Sequence, residues 1–222
     1  MRDQKRRGNT ILEFCLVMMI LLPMLLFTFG VGINLLTQLE VIQLTRDAGH
    51  MYVTLHEVSQ VDMSSTTFLN ILDSVGASAG YLHTGGNAQV IFVGIMYVDD
   101  PTCILAGLGA GCANSGQWAY TQYYVTPASL PSSISGFTPT FNAPSYGTTD
   151  PQKLYTLAQT AGQSGLRITP NVTSTLGIVP SASNPVLGLP SGQQLYFVEV
   201  GAAPFNMPGV TSLSVLRDYA VF

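Results

Sequence analysis

Apolar residues crowd the first part of this chain and then change rhythm. Phe14–Ile33 is 20 residues without a charge, about 30 Å as a helix, enough to cross the hydrocarbon core of a bilayer. Beyond it, apolar positions recur in steps of three and four, at Leu35, Leu39 and Ile42 and then at Leu44, Ala48, Met51, Leu55 and Val58. That spacing predicts a helix with one greasy stripe. Gln38, Gln43, Arg46, Asp47 and Glu57 share the remaining surface. The reading is one long helix over about 9–58, its transmembrane part at 14–33 and its second half packed on a head formed by 59–222. Pro23, Gly30 and Gly32 allow a bend or a close helix neighbour, and membrane helices tolerate both residue types.

Further on the rhythm shortens. Ser65–Val75 predicts a second amphipathic helix, with Phe68, Leu69, Leu72 and Val75 on one side. Val90–Val98 is a nine-residue apolar run closed by Asp99-Asp100-Pro101, the signature of a strand buried on both faces at the centre of a sheet. Aromatic-rich Trp118–Val125, then Gln194–Val200 and Ser212–Val221, read as three more strands. Residues 127–150 hold Pro, Ser, Gly and Thr with almost no charge and read as a long surface insertion. Asp150-Pro151 supplies an N-cap and a first-turn proline for a short helix to about Thr160, which Gly162 and Gly165 end. Residues 170–192 are again loop-like, and nothing repeats at fixed spacing. The expected fold class is α+β: a long N-terminal helix laid on an antiparallel sheet of about four strands.

Charge orients this plan. Four of the eight Lys and Arg residues fall at Arg2, Lys5, Arg6 and Arg7, so residues 1–8 form a basic leader on the near side of the apolar tract. The positive-inside bias puts that leader in the cytoplasm and the head outside, with a single pass through the membrane. A removable secretory signal is the competing reading, with Thr28-Phe29-Gly30 as a faint cleavage site; its apolar core would span only about 7–15 residues. Charged residues are 9% of the chain, against about 25% in ordinary soluble domains. Past the leader stand four basic and eleven acidic residues, leaving nothing to hold nucleic acid. Cys103 and Cys112 bracket a Gly-rich stretch in the exported part, where a disulfide is expected; two unpaired thiols are the alternative. Cys15 lies inside the span. No second pair or CxxC accompanies them, which disfavours zinc and thioredoxin-like chemistry.

The most informative residue is Glu13, a carboxylate where an apolar membrane segment begins, an expensive position without a partner or a task. The run Arg6-Arg7-Gly8-Asn9-Thr10-Ile11-Leu12-Glu13-Phe14 followed by an apolar helix resembles the processing signature of type IV pilin-like proteins. Within that superfamily the chain is most similar to TadE-like pseudopilins of the tight-adherence (Flp) pilus system. That likeness rests on this run, on Pro23 midway through the span, on TRDAGHMYV at 45–53 and on LYFVEV…VTSLSVLRDYAVF, with Arg217, near the end. It covers 5–58 well and 194–222 more weakly, and 59–193 not at all. The resemblance implies cleavage by a prepilin peptidase between Gly8 and Asn9, which makes Glu13 the fifth residue of the mature chain. It implies other pilin or pseudopilin subunits, the pilus assembly platform and inner-membrane lipid as partners, with the head periplasmic or extracellular. Such a subunit serves surface adherence.

The physics of the arrangement stands apart from the family. A cut after Gly8 creates an α-amine with a reference pKa of about 7.7–8.0, largely cationic at neutral pH. Glu13 lies four residues beyond it, about 6 Å along a helix. A neighbouring, staggered helix can then pair amine with carboxylate, an attraction of order 4 kcal/mol at 4 Å and an effective dielectric of 20 before desolvation. Apolar helices bundle without discrimination; such a pair sets their register.

The alternative class is a permanently anchored binding or adhesin protein that enters no filament, its low-charge Tyr, Thr, Ser and Gly loops at 101–150 contacting a ligand. An enzyme is not expected, and no catalytic residues, cofactor or metal are assigned. Gly76-Ala77-Ser78-Ala79-Gly80 matches GxSxG, but a helix pattern precedes it where a nucleophile elbow needs a strand. His50 and His56 fall on different sides of a helix, and His83 is isolated. Asp99-Asp100 reads as a turn former rather than a Ca²⁺ site, for want of further oxygen ligands. Asn171-Val172-Thr173 is a glycosylation sequon only in a eukaryotic setting.

Overall fold

The computed structural model describes residues 2–58, 66–79, 82–83, 86–105, 115–126, 194–204 and 215–222, with side chains of the first helix described over 10–54. Among the described residues three helices, α1 (Arg2–Val58), α2 (Thr66–Ala79) and α3 (Asp100–Leu105), accompany four strands, β1 (Ala88–Val98), β2 (Gln117–Val125), β3 (Gln194–Ala202) and β4 (Leu216–Val221). The strands form one antiparallel sheet in the order β2-β1-β3-β4, and α1 and α2 lie on one face of it. The class is α+β, as expected. The insertion at 127–150, the helix expected at 151–160 and the loop-like 170–192 lie outside the described residues.

α1 is continuous through Pro23 and starts at Arg2, earlier than the expected position near 9, so the basic run is part of its helical backbone. Its surroundings change along its length. From Thr10 to Phe29 every residue is exposed, whichever way it points. From Gly30 one stripe is buried: Gly30, Thr37, Val41, Leu44, Thr45, Ala48 and Tyr52. This corrects the expected stripe below residue 44, because Leu35 and Leu39 stand exposed and Ile42 is only half-buried. The reason is local hydrogen bonding. Thr37 Oγ1 donates to the Ile33 carbonyl at 3.0 Å and Thr45 Oγ1 to that of Val41 at 2.8 Å. A hydroxyl satisfied by its own helix is cheap to bury, so these threonines serve as small packing residues.

β1 is buried on both faces, as its unbroken apolar run predicts. Val90 and Phe92 join Val41, Leu44, Ala48, Tyr52, Phe68, Leu72, Val198 and Val200 in the core beneath the helices. Ile91, Val93 and Ile95 pack on the opposite face with Trp118, Tyr120, Leu195 and Phe197. Between Gly94 and Ile95 the pairing with β2 slips by one residue, leaving Thr121 unpaired in a bulge. A Cβ on Gly94 would lie 2.7 Å from Thr121 Oγ1, so the bulge depends on glycine there. Tyr52 ties α1 to β2 through a 2.5 Å hydrogen bond from its hydroxyl to Gln122 Oε1, and its ring meets Phe92 and Tyr196 edge-on.

Two expectations at strand ends are revised. Asp99-Asp100-Pro101 does not simply turn the chain; it opens α3, with Asp100 in the first turn and the Cys103 amide donating to the Asp99 carbonyl at 3.0 Å. An aspartate before a proline is also a helix-start signal, and that second meaning holds here. β4 starts at Leu216, later than Ser212, whose structure lies outside the described residues.

The last strand closes on the first helix. Phe222 exchanges both backbone hydrogen bonds with Tyr196, and its ring sits against α1, edge-on to His50 at 5.3 Å between centroids. A Cβ on Gly49 would fall 2.0 Å from that ring. The glycine of TRDAGHMYV is thus a seat for Phe222. Gly49→Val is expected to destabilise the head by about 1–3 kcal/mol through overpacking, read as a lowered denaturation midpoint in detergent. Adding Phe222→Ala should cost less than the two single changes summed, because both act on one contact.

Candidate functional site

The candidate processing and assembly residues sit at the start of α1. Gly8 and Asn9 lie within its helical backbone; their side chains are outside the described set. Glu13 is exposed, with Ile11, Leu12 and Phe14 also exposed around it. Asn9 and Glu13 are four apart on an unbroken helix, which stacks them on one face about 6 Å apart along the axis. Gly8, about 1 kcal/mol poorer than alanine as a helix former, is a locally weak point of this turn.

Phe14 and Pro23 belong to the stretch exposed on all sides, whereas Ile33 lies where one face is already buried. Polar side chains in this region bond to their own helix: Thr28 Oγ1 donates to the Leu25 carbonyl at 2.8 Å, and Asn34 Nδ2 to that of Gly30 at 3.0 Å. Among the described residues, α1 is the one helix long and apolar enough to cross a membrane.

Of the cysteines, Cys15 is free and exposed on α1, and Cys103 is fully buried and disulfide-bonded. Cys112 lies outside the described residues. Cys103 packs with Met96, Val98 and Ala119, which places the bridge on α3 beside the ends of β1 and β2. Ser115 Oγ donates to Asp100 Oδ1 at 2.6 Å, and Gly116, at φ 77°, donates its amide to the Val98 carbonyl. The acid singled out in Asp99-Asp100 thus holds the connection between β1 and β2.

The decoys resolve by position. Gly76 and Ser78 lie on α2, not at a strand-to-helix elbow. His83 approaches Asp73 at 3.7 Å, with both side chains well exposed. No group of three or more metal-ligating side chains occurs among the described residues.

Sequence reasoning did not anticipate the pairing of Glu199 with Arg217. Arg217 Nη1 donates to Glu199 Oε1 at 3.1 Å, with side chains only 8% and 3% exposed. The register sets Arg217 opposite Gly201, two residues from Glu199 on the same face of the sheet, a diagonal that a long guanidinium spans. A visible signal existed: one carboxylate inside an apolar strand, in a chain with few cations to answer it. Around the pair, Phe197 stacks on Tyr219 at 5.4 Å. Burial, and secondarily the charge of Glu199, pushes the Tyr123 hydroxyl pKa upward. Burial pushes Tyr120 upward as well, with Tyr123 adding to it.

Compared with protein-family models, with curated proteins and with solved structures, the chain matches none.

Removing half of a buried ion pair strands the other charge. Arg217→Met should cost about 3–5 kcal/mol, while Glu199→Leu combined with Arg217→Met should recover most of it; chemical denaturation of the three proteins checks this. The tyrosines give a pH signature. Their folded pKa values lie above the unfolded reference of about 10, so their contribution is complete below pH 10 and is lost as pH rises beyond it. Tyr123→Phe should flatten that alkaline loss, measured by denaturation midpoints between about pH 9 and 12.

Proposed function

We propose that this protein is a membrane-anchored pseudopilin or minor pilin, cut after Gly8 and taking part in assembly of a Tad/Flp-type pilus for surface adherence. The observation that carries the reading is the order of features along one uninterrupted helix. A basic run and Gly8 come first, then Glu13 five residues on, then a stretch exposed on every face, then a half packed on an antiparallel sheet. Each part has a physical task. The basic end stays in the cytoplasm, the apolar stretch stores the subunit in the inner membrane, and the head stands on the far side. The new amine at Asn9 and the carboxylate of a staggered neighbour's Glu13 fix the register of the bundle.

The partners of this reading are a prepilin peptidase, other pilin or pseudopilin subunits, the assembly platform and inner-membrane lipid. On this reading the fold is pilin-like, and the α+β head is joined to its rod through the unbroken helix α1, as such a subunit needs. No residue is assigned a catalytic role.

Expression in a host carrying the matching peptidase tests the proposal. The wild-type chain should shorten, and mass spectrometry should find Asn9 at the amino terminus. Gly8→Leu should stay full length, because a bulky side chain obstructs close approach to the backbone. Glu13→Ala should be cut normally and yet be recovered poorly with assembled pili. A native chain that retains its leader would sink the proposal and leave the anchored binding protein in its place.

A further inference from the structure

Between Gly30 and Leu39 the two sides of α1 face different surroundings. Gly30, Asn34 and Thr37 lie on the stripe that continues through Val41, Leu44 and Ala48 into the core of the head. On the opposite side Leu35, Leu36 and Leu39 are 57%, 62% and 61% exposed, with Val31 also exposed. Helical spacing lines Val31, Leu35 and Leu39 up on one face, and the next residues there are Ile42, already half-buried, and then Gln43, Arg46 and His50, all exposed. The outward face therefore changes from apolar to polar above Leu39, whereas the inward face is already buried at Gly30. Over some nine residues, about 13 Å of helix, one side of α1 is thus increasingly buried while the leucines opposite stand exposed.

Length supports one occupant for that leucine face. No charge occurs from Phe14 through Leu39, 26 residues, about 39 Å of helix. Tilted by the average of about 20°, this covers about 37 Å, some 7 Å more than the hydrocarbon core. The excess matches one interfacial layer of a bilayer about 40–45 Å thick overall. The leucine face is also unbroken with the apolar surface of Thr10–Phe29, and it ends below an arginine long enough to reach headgroup phosphates.

We infer that the Leu35, Leu36 and Leu39 face of α1 is a lipid contact, so that the head is seated in the outer interfacial layer of the membrane rather than held clear of it on a stalk. This rests on the membrane-spanning reading of α1 but not on processing after Gly8. The head's lower flank is thereby presented to lipid headgroups, and its tilt is fixed relative to the bilayer.

Site-directed spin labelling tests it in the full chain. In a Cys15→Ser background with the Cys103 disulfide left oxidised, single cysteines replace Leu22, Leu35, Leu36, Leu39 or Arg46. All five positions are exposed, so the labels leave the core alone. The proteins are reconstituted into vesicles of phosphatidylethanolamine and phosphatidylglycerol. Collisions with oxygen should exceed those with a water-soluble nickel chelate several-fold at 35, 36 and 39, at depths between those of 22 and 46. Aqueous values at all three leucine positions, with position 22 in lipid, overturn the inference and leave the span intact. Dipolar broadening at 35, 36 and 39 assigns the face to a second copy and also overturns it. An aqueous label at position 22 removes the span itself.

Discussion

One helix must satisfy two environments, and everything else in this protein follows from where the change falls. A fully apolar helix is at home where apolar surroundings reach it from every side. A helix on a sheet needs one apolar face and one wet one. α1 changes between these demands without breaking. Its small residues and self-bonded threonines from Gly30 onward let a sheet approach on one side while leucines remain on the other. The head is thus fastened directly to the rod through the core shared by α1, α2 and the sheet.

The far face of the sheet solves a different problem. Glu199 and Arg217 are taken out of water together, and their attraction mainly offsets their own desolvation. Such a pair contributes little net stability beside a well-packed apolar substitute. What it does penalise is misplacement: a slip of β4 by one residue would turn Arg217 to the other face and leave the carboxylate buried alone. The ion pair acts on register, and register in turn brings Phe222 onto Gly49.

Much of this was legible in the residues. The apolar length of α1, the doubly buried run of β1 and the aromatic β2 carry strong local signals, because periodicity and composition there depend only on near neighbours. The packing face of α1 was harder to read. Leu35 and Leu39 look like core by hydrophobicity, while Thr37 and Thr45 look like surface, and only the hydrogen bond to the preceding turn reverses that ranking. α3 was hidden by ambiguity, since an acidic pair before proline serves a turn and a helix start alike. Glu199 and Arg217 were visible singly, but their meeting depends on strand register across a long connection. For the leader and Glu13 the motif was plain in the sequence, and the fold adds their alignment on one continuous helix.

The joining of β4 to α1 has a bearing on how the molecule comes to exist. The face of α1 that ends at Tyr52 is covered by α2, β3 and β4, and two of these are encoded from Gln194 onward. A nascent chain must hold that face uncovered while most of the polypeptide is still being made. Closure then pairs β1 with β3, two strands far apart in sequence, a slow event on topological grounds. During biogenesis the half-finished head therefore presents an apolar helix face until its last two strands arrive.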